Sequence, residues 1–570
     1  MTDMPLAMIL LGEGSLPAAR RVREAFPGAV IHGLTGRVSG TDVPFDRFGP
    51  AIRRLFAADV PIIAFCAAGI IIRALASLLQ DKRAEPPVLA VAEDGSAVVP
   101  LLGGLRGVNA LAQTIGEALG TRPAITTTGE VRFGATLEHP PDGYVLRNPE
   151  AGKRIMSDLL AGEHLRVTGD APWLRETRLP FDADGRLAIT VTADDREPDE
   201  GELIFHPRSI AVAVAAGGAD LPGRVQNALS RHGLARQAVG AILAAEPDAA
   251  APEIHAITSG LGRPVRFMDD GPPADLVRRA VPDPIAGPFV DDGVAIAVAA
   301  EPLDIAAIGR ARGRLAVVGL GPGGTGLLTP DASREMTGAT DIVGYHTYVE
   351  MAGPFGPEQI VHASDNREEM ERARQALTLA AAGRFVAVVS SGDPGVFAMA
   401  AAIMEALHHF PEPAWHGVEL VLVPGISAAH AAAARAGAPL GHDFCVLSLS
   451  DNLKPWEVIE RRLDAAASAD LVLALYNPVS RARPWQLGRA VEIIRRHRGP
   501  ETPVVLGRDI GRAGETVRVV TLKNLPQAEI DMRTVIIVGS SLTRTFARTE
   551  GGLWAYTPRW YGGRPPSERG

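Results

Sequence analysis

Short apolar runs that end in glycine-rich turns recur along the chain, and each is followed by an amphipathic segment. The pattern is clearest at Leu315–Val318, where four apolar residues lead into the glycine-rich turn of residues 319–324. Such a run predicts a buried strand of the parallel-sheet type. The next helix is predicted to begin at Thr329 and Pro330, because threonine caps a first turn and proline suits the first helical position. The chain is therefore expected to be α/β, with turns that expose backbone to a ligand.

The glycines of this turn leave three interpretations open. Gly319, Gly321 and Gly324 match the G-x-G-x-x-G spacing of a dinucleotide-binding turn. Against that interpretation, the predicted helix starts after the glycines, Pro322 removes an N–H, and Asp341 precedes the next apolar segment instead of ending it. A plain tight turn is the second interpretation. A loop that holds some other small ligand is the third, and we favour it.

The N-terminal region repeats the strand, turn and helix pattern. Residues 5–26 and 60–79 each fit one such unit, and Val88–Leu102 is predicted to form a hairpin that turns at Glu93–Ser96. Residues 136–200 are polar and show little periodicity, whereas strands and helices are again predicted after residue 202. We therefore expect an α/β domain at 1–135, a middle subdomain at 136–202, an α/β domain at 203–302, a linker at 303–312 and a final unit at 313–561.

Further strands of the C-terminal half are predicted to end in turns with special residues. Ligands of open α/β sheets bind outside the carboxyl ends of strands, so these turns are expected to converge on one crevice. Asp393 and Pro394 also fit a simple helix cap followed by proline. The turns are Gly392–Phe397, Pro424–His430, Tyr476–Pro478, Gly507–Asp509 and Gly539–Ser541.

Composition narrows the possible functions. A net charge of −9 gives no basic surface for nucleic acid, and every apolar run is interrupted well short of a membrane span. The N-terminus shows no signal peptide, and two cysteines fit a reducing cytoplasm without a cysteine-rich metal site. We expect a cytoplasmic protein that binds neither nucleic acid nor membrane and holds no metal of its own.

The N-terminal 135 residues resemble the cobalt-precorrin-5A hydrolases of cobalamin synthesis, which open a ring lactone and release a two-carbon fragment. The resemblance rests on the strings GEGSLPAARRV, FCAAGIIIRAL, AVAEDGSAVVPLLGG and LRGVNALAQTIGEALGTRPAITT. It implies that Glu93 and Asp94 contact substrate, although both are also good hairpin-turn residues. The other positions it marks are Gly69, Arg73, Gly95, Gly103, Gly104 and Asn109.

Residues 203–302 lie where that hydrolase family has its C-terminal domain. The family normally has a glycine, a cysteine and paired arginines after the first strand, whereas this chain has Ala215, Ala216, Gly217 and Gly218. The change removes groups that hold substrate carboxylates, which favours a region that only binds a corrinoid. The intact strings around Glu93 instead favour catalysis, so both interpretations stay open.

The C-terminal half resembles the class III tetrapyrrole methyltransferases, and within them most closely the precorrin-3B C-17 methyltransferases, which contract the ring during corrin synthesis. The resemblance implies a two-lobed fold, S-adenosylmethionine as cofactor, a tetrapyrrole substrate and a homodimer formed through this half. A NAD-dependent oxidoreductase is the outside alternative. The strings are VGLGPGGTGLLTPDA, DIVGYHTYVE, VAVVSSGDPGVFAMA, LVPGISAAHAAAARAGAPLGHDFCVLSLSD, PWEVIERRL, LALYNPVSRARPWQL, LGRDIGRAGE and VIIVGSS.

Residue roles follow from this resemblance, position by position. The carboxylate of Asp393 suits a cofactor that carries an ammonium and a sulfonium. The implied cofactor residues are Pro322, Gly392, Asp393, Val396, Phe397, Ser427, Ala428, Tyr476, Asn477, Gly507 and Arg508.

The implied chemistry also needs a base and a basic surface. In the resembled reaction an oxygen at C-20 loses a proton, the ring contracts, and C-17 attacks the methyl group, so the protein supplies a base. His430, His442 and Asp443 are the candidates, each with an alternative structural role. Substrate carboxylates are expected to meet Lys454, Arg481, Arg483, Arg508 and Arg512, which follow or lie in the junction loops.

Overall fold

The computed structural model describes residues 6–26, 28–79, 82, 84–217, 220–356, 358–365, 368–480, 484–525 and 529–560. Within these residues the strands form six sheets, and helices cover the faces of the larger ones. The fold class is α/β, as predicted. The first three sheets belong to the N-terminal half, and the last three belong to the C-terminal half.

The first domain is a doubly wound sheet of order β3-β2-β1-β4-β5-β6, parallel except for β6. Helices α1 and α4 pack together, as do α2 and α3. The predicted hairpin at Val88–Leu102 is confirmed. The strands are β1 Ala7–Leu10, β2 Val30–Leu34, β3 Val43–Phe45, β4 Ile62–Phe65, β5 Val88–Val91 and β6 Val98–Leu102, and the helices are α1 Leu16–Ala25, α2 Phe48–Ala57, α3 Ala68–Leu75 and α4 Val108–Leu119.

The middle region holds a four-stranded sheet of order β7-β10-β9-β8, which its polar sequence did not predict. Phe133 and Leu137 both lie in its core, and β10 extends to Pro207. The sheet therefore ends beyond residue 202, where the predicted boundary falls inside β10. Its elements are α5 Thr128–Phe133, β7 Tyr144–Leu146, α6 Pro149–Leu160, β8 Leu165–Thr168, α7 Pro172–Arg175, β9 Leu187–Val191 and β10 Glu202–Pro207.

The third domain has a sheet of order β14-β15-β11-β12-β13-β16, in which β11, β12 and β13 are parallel. Strand β16 lies inside the predicted linker 303–312 and pairs with β13, so the end of that segment belongs to the sheet. The elements are β11 Ile210–Val214, α8 Leu221–Arg231, β12 Val239–Ala245, α9 Pro252–Leu261, β13 Val265–Met268, α10 Pro273–Ala280, β14 Ala286–Asp291, β15 Val294–Val298 and β16 Arg310–Ala311.

The first lobe of the C-terminal half is a fully parallel sheet of order β19-β18-β20-β17-β21. All its strands end at the same edge. Helix α11 begins at Pro330, and the Thr329 side chain accepts the N–H of Ala332, which confirms the predicted cap. The elements are β17 Arg314–Gly319, α11 Pro330–Gly338, β18 Asp341–Tyr345, α12 His346–Ala352, β19 Ile360–Ser364, α13 Glu369–Ala381, β20 Phe385–Ser390, α14 Met399–His409, α15 Pro413–His416 and β21 Glu419–Val423.

The second lobe has a mixed sheet of order β23-β24-β27-β25-β26. Strand β27 is antiparallel to β24 and β25, so Gly539 lies at the edge opposite Tyr476 and Arg508. The expectation that the Gly539–Ser541 turn joins the crevice is therefore wrong. The elements are α16 Ala428–Ala436, β22 Gly437–Ala438, β23 Phe444–Ser448, α17 Trp456–Ser468, β24 Val472–Tyr476, α18 Gln486–Arg495, β25 Pro503–Arg508, β26 Thr516–Thr521, β27 Thr534–Val538, β28 Arg544–Ala547 and β29 Leu553–Tyr556.

Contacts at the amino ends of the first-lobe strands fasten the third domain to this lobe. Arg310 forms two hydrogen bonds with the Glu246 carboxylate, of 2.7 and 2.5 Å. Arg312 Nε donates to the Gly417 carbonyl oxygen at 3.0 Å, and Gly417 packs against Ala249 of the third domain. The segment between the halves is thus held on both sides. No described helix is both long and apolar enough to cross a membrane.

We predict that Gly417→Ala loosens this contact without unfolding either side. A Cβ at Gly417 would lie 2.4 Å from the Ala249 carbonyl oxygen, although the backbone there is right-handed and accepts alanine. Trypsin should therefore cleave faster at Arg310 and Arg312. Gly488→Ala on α18 is the matched control, because its Cβ would meet nothing within 4 Å. Equal cleavage rates in the two variants would contradict the prediction.

Candidate active site

Three turns of the first lobe meet where their strands end side by side. β17 lies between β20 and β21, which brings Gly319, Gly392 and Gly425 together. Gly321 and Gly392 exchange backbone hydrogen bonds of 3.1 and 2.7 Å. A Cβ at Gly425 would lie 2.1 Å from the Gly392 carbonyl oxygen, and a Cβ at Gly319 would lie 2.7 Å from it. Glycine is required here because the backbones touch.

Asp393 joins two of these turns and does not cap a helix. Its Oδ1 accepts the N–H of Gly395 at 2.8 Å, and its Oδ2 accepts the N–H of Gly425 at 3.0 Å. The following helix, α14, begins only at Met399. The helix-cap interpretation of Asp393-Pro394 is therefore wrong, and the carboxylate instead holds the β20 turn against the β21 turn.

The tip of the β20 turn projects from the first lobe. Val396 is 36% exposed and Phe397 is 53% exposed. Phe397 has a left-handed backbone with φ of 55°, a conformation that costs a residue with a side chain roughly 1–2 kcal/mol. Its ring meets the ring of Tyr476 from the second lobe edge-on, with 5.8 Å between centroids. The two lobes thus come into contact through aromatic side chains.

Helix α16 begins beside this contact. The Ser427 hydroxyl accepts the N–H of His430 at 3.3 Å and lies 2.6 Å from His430 Nδ1. The Tyr476 hydroxyl accepts the N–H of Ala429 at 2.8 Å, so two free N–H groups of the first turn are satisfied by side chains. Ala428 is the first residue of the helix and is half-buried.

The remaining predicted cofactor residues of the second lobe lie at the carboxyl ends of β24 and β25. Asn477 has a left-handed backbone and donates from Nδ2 to Ser448 Oγ at 2.9 Å. Gly507 is buried beneath α16, where a Cβ would come 2.7 Å from Ala432 Cβ. With the Asn477 amide bound to Ser448 and no side chain at Gly507, these two residues present mostly backbone groups to the crevice.

Arg508 is engaged by carboxylates of its own lobe. Its Nε and Nη2 donate to Asp531 at 3.1 and 2.9 Å, and its Nη1 lies 3.2 Å from Asp509. These two carboxylates neutralise the Arg508 guanidinium and accept its hydrogen bonds. Arg508 therefore offers a ligand its backbone more readily than its charge.

Arg512 bridges the lobes on the other side of the crevice. Its Nε donates to the Pro322 carbonyl oxygen at 2.9 Å, and its Nη2 donates to Ser391 Oγ at 3.4 Å. The neighbouring Gly511 packs against Gly323. The sequence analysis did not single out Ser391. Its position between the end of β20 and Gly392 is the one feature of the sequence that indicates a role.

Of the other predicted basic residues, Lys454 lies in the loop between β23 and α17, and Arg481 and Arg483 lie outside the described residues. The Lys454 ammonium lies 5.7 Å from the centroid of the Phe397 ring. Burial and the charge of Arg462 lower the pKa of Lys454. Lys454 therefore belongs to the same contact between lobes as Phe397 and Tyr476.

The three predicted bases lie around the start of β23. The His430 ring meets the Phe444 ring edge-on at 5.9 Å, and Phe444 directly follows Asp443. The backbone N–H of Asp443 donates to His442 Nδ1 at 2.8 Å, so this nitrogen is an acceptor that is already used. Asp443 itself is exposed, with 83% of its side-chain surface accessible.

The first domain has its own candidate crevice between the carboxyl ends of β1 and β4, where the strand order reverses. The Glu93 carboxylate covers Gly14, since a Cβ there would lie 2.2 Å from Glu93 Oε1. Asp94 Oδ1 accepts the N–H of Ser96 at 2.9 Å, the contact of a hairpin-turn residue. Burial raises the pKa of the Cys66 thiol to about 11, so this cysteine is protonated at neutral pH.

Two protein families match parts of the chain. The family described as Tetrapyrrole (Corrin/Porphyrin) Methylases matches residues 314–526, which contain the first lobe and most of the second. The family described as Cobalamin synthesis G N-terminal matches residues 50–130. The C-terminal crevice thus lies within the first match, whereas the second match covers β4 and Glu93 of the first-domain crevice but not β1.

Individual relatives cover the C-terminal half. The chain is 52% identical over 251 residues to a protein of Sinorhizobium sp named precorrin-3B C(17)-methyltransferase, covering 44% of this chain and 98% of that one. It is 51% identical over 253 residues to the cobalamin biosynthesis protein CobIJ of Mycobacterium tuberculosis, covering 44% of this chain and 48% of that one. The crystal structure of the methyltransferase CobJ is 48% identical, covers 43% of this chain and 100% of that chain, and has a TM-score of 0.40.

We predict that Gly425→Ala destabilises the first lobe. The added Cβ would collide with backbone of both neighbouring turns, and overpacking of this kind costs roughly 1–3 kcal/mol. Urea denaturation, followed by circular dichroism, measures the loss. Gly326→Ala, in the turn after β17, is the control, because its Cβ would meet nothing within 4 Å. A Gly425→Ala protein as stable as the control would refute the backbone-contact account.

Proposed function

Because the chain belongs to the family of tetrapyrrole (corrin/porphyrin) methylases, we propose that its C-terminal half methylates precorrin-3B at C-17, with ring contraction, in cobalamin synthesis. The observation that carries the proposal is the 52% identity to a precorrin-3B C(17)-methyltransferase over 98% of that protein's length. The crevice between the lobes supports it, since two sets of strand ends face each other there.

We propose S-adenosylmethionine as the cofactor, which supplies an electrophilic methyl group when bound. The crevice fits such a group because Gly392 leaves open space on the side where a Cβ would point, with Ser427 Cα 3.9 Å from that position as the nearest atom. Asp393 brings a carboxylate to the same turn, where it attracts a positively charged ligand. The turns thus offer backbone contacts together with one negative charge.

The reaction also requires a residue that accepts the proton lost from the C-20 oxygen. His442 is poorly suited, because its Nδ1 already accepts a backbone N–H and its neutral form therefore carries the proton on Nε2. His430 is better suited, since the Ser427 hydroxyl can either donate to Nδ1 or accept from it. No described residue forms a hydrogen bond with His430 Nε2. Asp443 offers exposed carboxylate oxygens. We propose His430 or Asp443 as the base.

Two further proposals complete the assignment. The resemblance implies that the C-terminal half forms a homodimer, and the exposed aromatic residues Phe546, Trp554 and Tyr556 of the β28–β29 hairpin are compatible with one. We also propose a cytoplasmic location, where the free cysteines Cys66 and Cys445 remain reduced.

The family match at residues 50–130 supports a second candidate function for the N-terminal half. We propose that the crevice of the first domain binds a corrinoid lactone, with Glu93 placed over the turn that follows β1. Since burial raises the pKa of the Cys66 thiol to about 11 and makes this thiol a poor nucleophile, we propose water as the nucleophile for hydrolysis of that lactone. Glu93 is then the group that is placed to take its proton.

Mass spectrometry tests both functions in one experiment. The full chain is incubated with S-adenosylmethionine and precorrin-3B, and separately with the cobalt-containing lactone, while product mass and released acetaldehyde are followed. A gain of one methyl group is expected with precorrin-3B. Acetaldehyde from the lactone identifies a working hydrolase, whereas its absence leaves the N-terminal half as a binding module. A protein that binds cofactor but adds no methyl group would refute the main proposal.

We predict that Asp393→Ala weakens binding of S-adenosylhomocysteine by about 10-fold or more, because the ligand's ammonium loses a nearby negative charge and the two turns that line the crevice lose the carboxylate that holds them together. Asp393→Asn keeps one acceptor oxygen and should fall between this variant and the wild type. Isothermal titration calorimetry measures the affinities, and thermal denaturation confirms that the variants remain folded. Equal affinity in Asp393→Ala and wild type would remove Asp393 from the site.

A further inference from the structure

Lys454 is a half-buried cation that no described residue neutralises. It forms no hydrogen bond or ion pair within the described part of the chain, and its neighbour Arg462 carries the same charge. The nearest group with which it interacts is the face of the Phe397 ring, 5.7 Å away. A buried cation is normally paired, so an unpaired lysine at a crevice indicates an anionic ligand.

Phe397 is held in an unfavourable conformation that keeps its ring in the crevice. Its backbone is left-handed, with φ of 55°, and 53% of the residue is exposed. Burial of the ring therefore does not compensate the strain. Strained backbone that presents an exposed side chain at a cleft is typical of ligand contacts, and an aromatic face suits a flat, partly apolar ligand.

The two groups come from different lobes and form one surface. Phe397 belongs to the β20 turn of the first lobe, and Lys454 follows β23 of the second. The Tyr476 ring supports Phe397 from the side. Building on the methylation function proposed above, we propose that Phe397 and Lys454 form a subsite for the tetrapyrrole, in which the ring packs against a pyrrole face and the ammonium binds a peripheral carboxylate.

The carboxylate of the cofactor is the other possible source of the anion, and the charges argue against it. The methionyl group of S-adenosylmethionine carries an ammonium beside its carboxylate, and Lys454 together with Arg462 would repel it. Asp393, the carboxylate that suits this ammonium, hydrogen-bonds the turns after β20 and β21 and has no contact with Lys454. A peripheral carboxylate of the macrocycle has no adjacent positive charge, so it fits an unpaired lysine better.

The test measures tetrapyrrole and cofactor binding separately. Uroporphyrin III, a stable macrocycle with eight carboxylates, is titrated into the full chain and followed by quenching of its fluorescence, and S-adenosylhomocysteine is titrated by calorimetry. We expect Lys454→Met to weaken uroporphyrin binding about 10-fold and to change the cofactor affinity less than 2-fold. Lys454→Arg should restore most of the loss. The matched control is Lys523→Met, which removes the same charge from a lysine paired with Glu501 at the surface.

Phe397→Gly supplies an independent readout. Glycine relieves the left-handed strain and so offsets part of the lost contact with Tyr476. The melting temperature should therefore stay close to that of the wild type while uroporphyrin binds several-fold more weakly. If the Phe397 ring had only a structural role, the melting temperature and the uroporphyrin affinity would fall together.

The possible outcomes separate this inference from the proposed function. Unchanged uroporphyrin affinity in Lys454→Met would overturn the subsite, and a larger change in cofactor affinity would assign Lys454 to the cofactor. A wild-type protein that shows Lys454-dependent uroporphyrin binding but does not methylate precorrin-3B would refute the function and leave the subsite standing. A wild-type protein that binds no tetrapyrrole would overturn both.

Discussion

Contact between backbones at the ends of β17, β20 and β21 is the constraint on which the C-terminal half depends. Neighbouring strands of a sheet lie about 4.8 Å apart, so the turns that follow three adjacent strands compete for the same space. Gly319 and Gly425 resolve this competition because neither carries a Cβ, and Gly392 contributes a left-handed turn with φ of 73°. Asp393 then fastens the turns through two backbone N–H groups. The same residues that make the packing possible also leave main-chain groups accessible to a ligand.

The second lobe completes the crevice through two separate contacts. Arg512 reaches the turns after β17 and β20 through Pro322 and Ser391. On the other side, Phe397 of the first lobe meets Tyr476 and Lys454 of the second. Polar contacts fix one end of the crevice and aromatic contacts fix the other. A ligand between the lobes is therefore surrounded by groups whose positions depend on each other.

Local features of the chain were predictable from sequence, whereas pairing between distant segments was not. The start of α11 at Pro330 and the Val88–Leu102 hairpin follow from neighbouring residues, and both are confirmed. The direction of β27 depends on which strands it pairs with, so the Gly539 turn was placed at the wrong edge. The pattern G-D-P also fits a helix cap, and only the position of Gly425, 32 residues away, shows what Asp393 holds.

The four-stranded middle sheet also could not be predicted, because it depends on pairing between distant segments. Its core is built from short segments scattered between Phe133 and Phe205, and polar loops separate buried runs such as Leu187–Val191, so the region as a whole did not indicate a sheet. The turns after β17, β20 and β21 lie side by side because these neighbouring strands are parallel, so their adjacency could be predicted from the motifs at the strand ends. Arg508 lies at the carboxyl end of β25, and its hydrogen bonds with Asp531 could be found only from the structure.

Docking of the third domain at Gly417 has a kinetic consequence. This contact lies at the amino ends of the first-lobe strands, and the crevice lies at their carboxyl ends. A molecule that leaves the crevice departs from the end of the lobe that points away from the docked domain. The docked third domain therefore does not obstruct release of a molecule from the carboxyl ends of these strands.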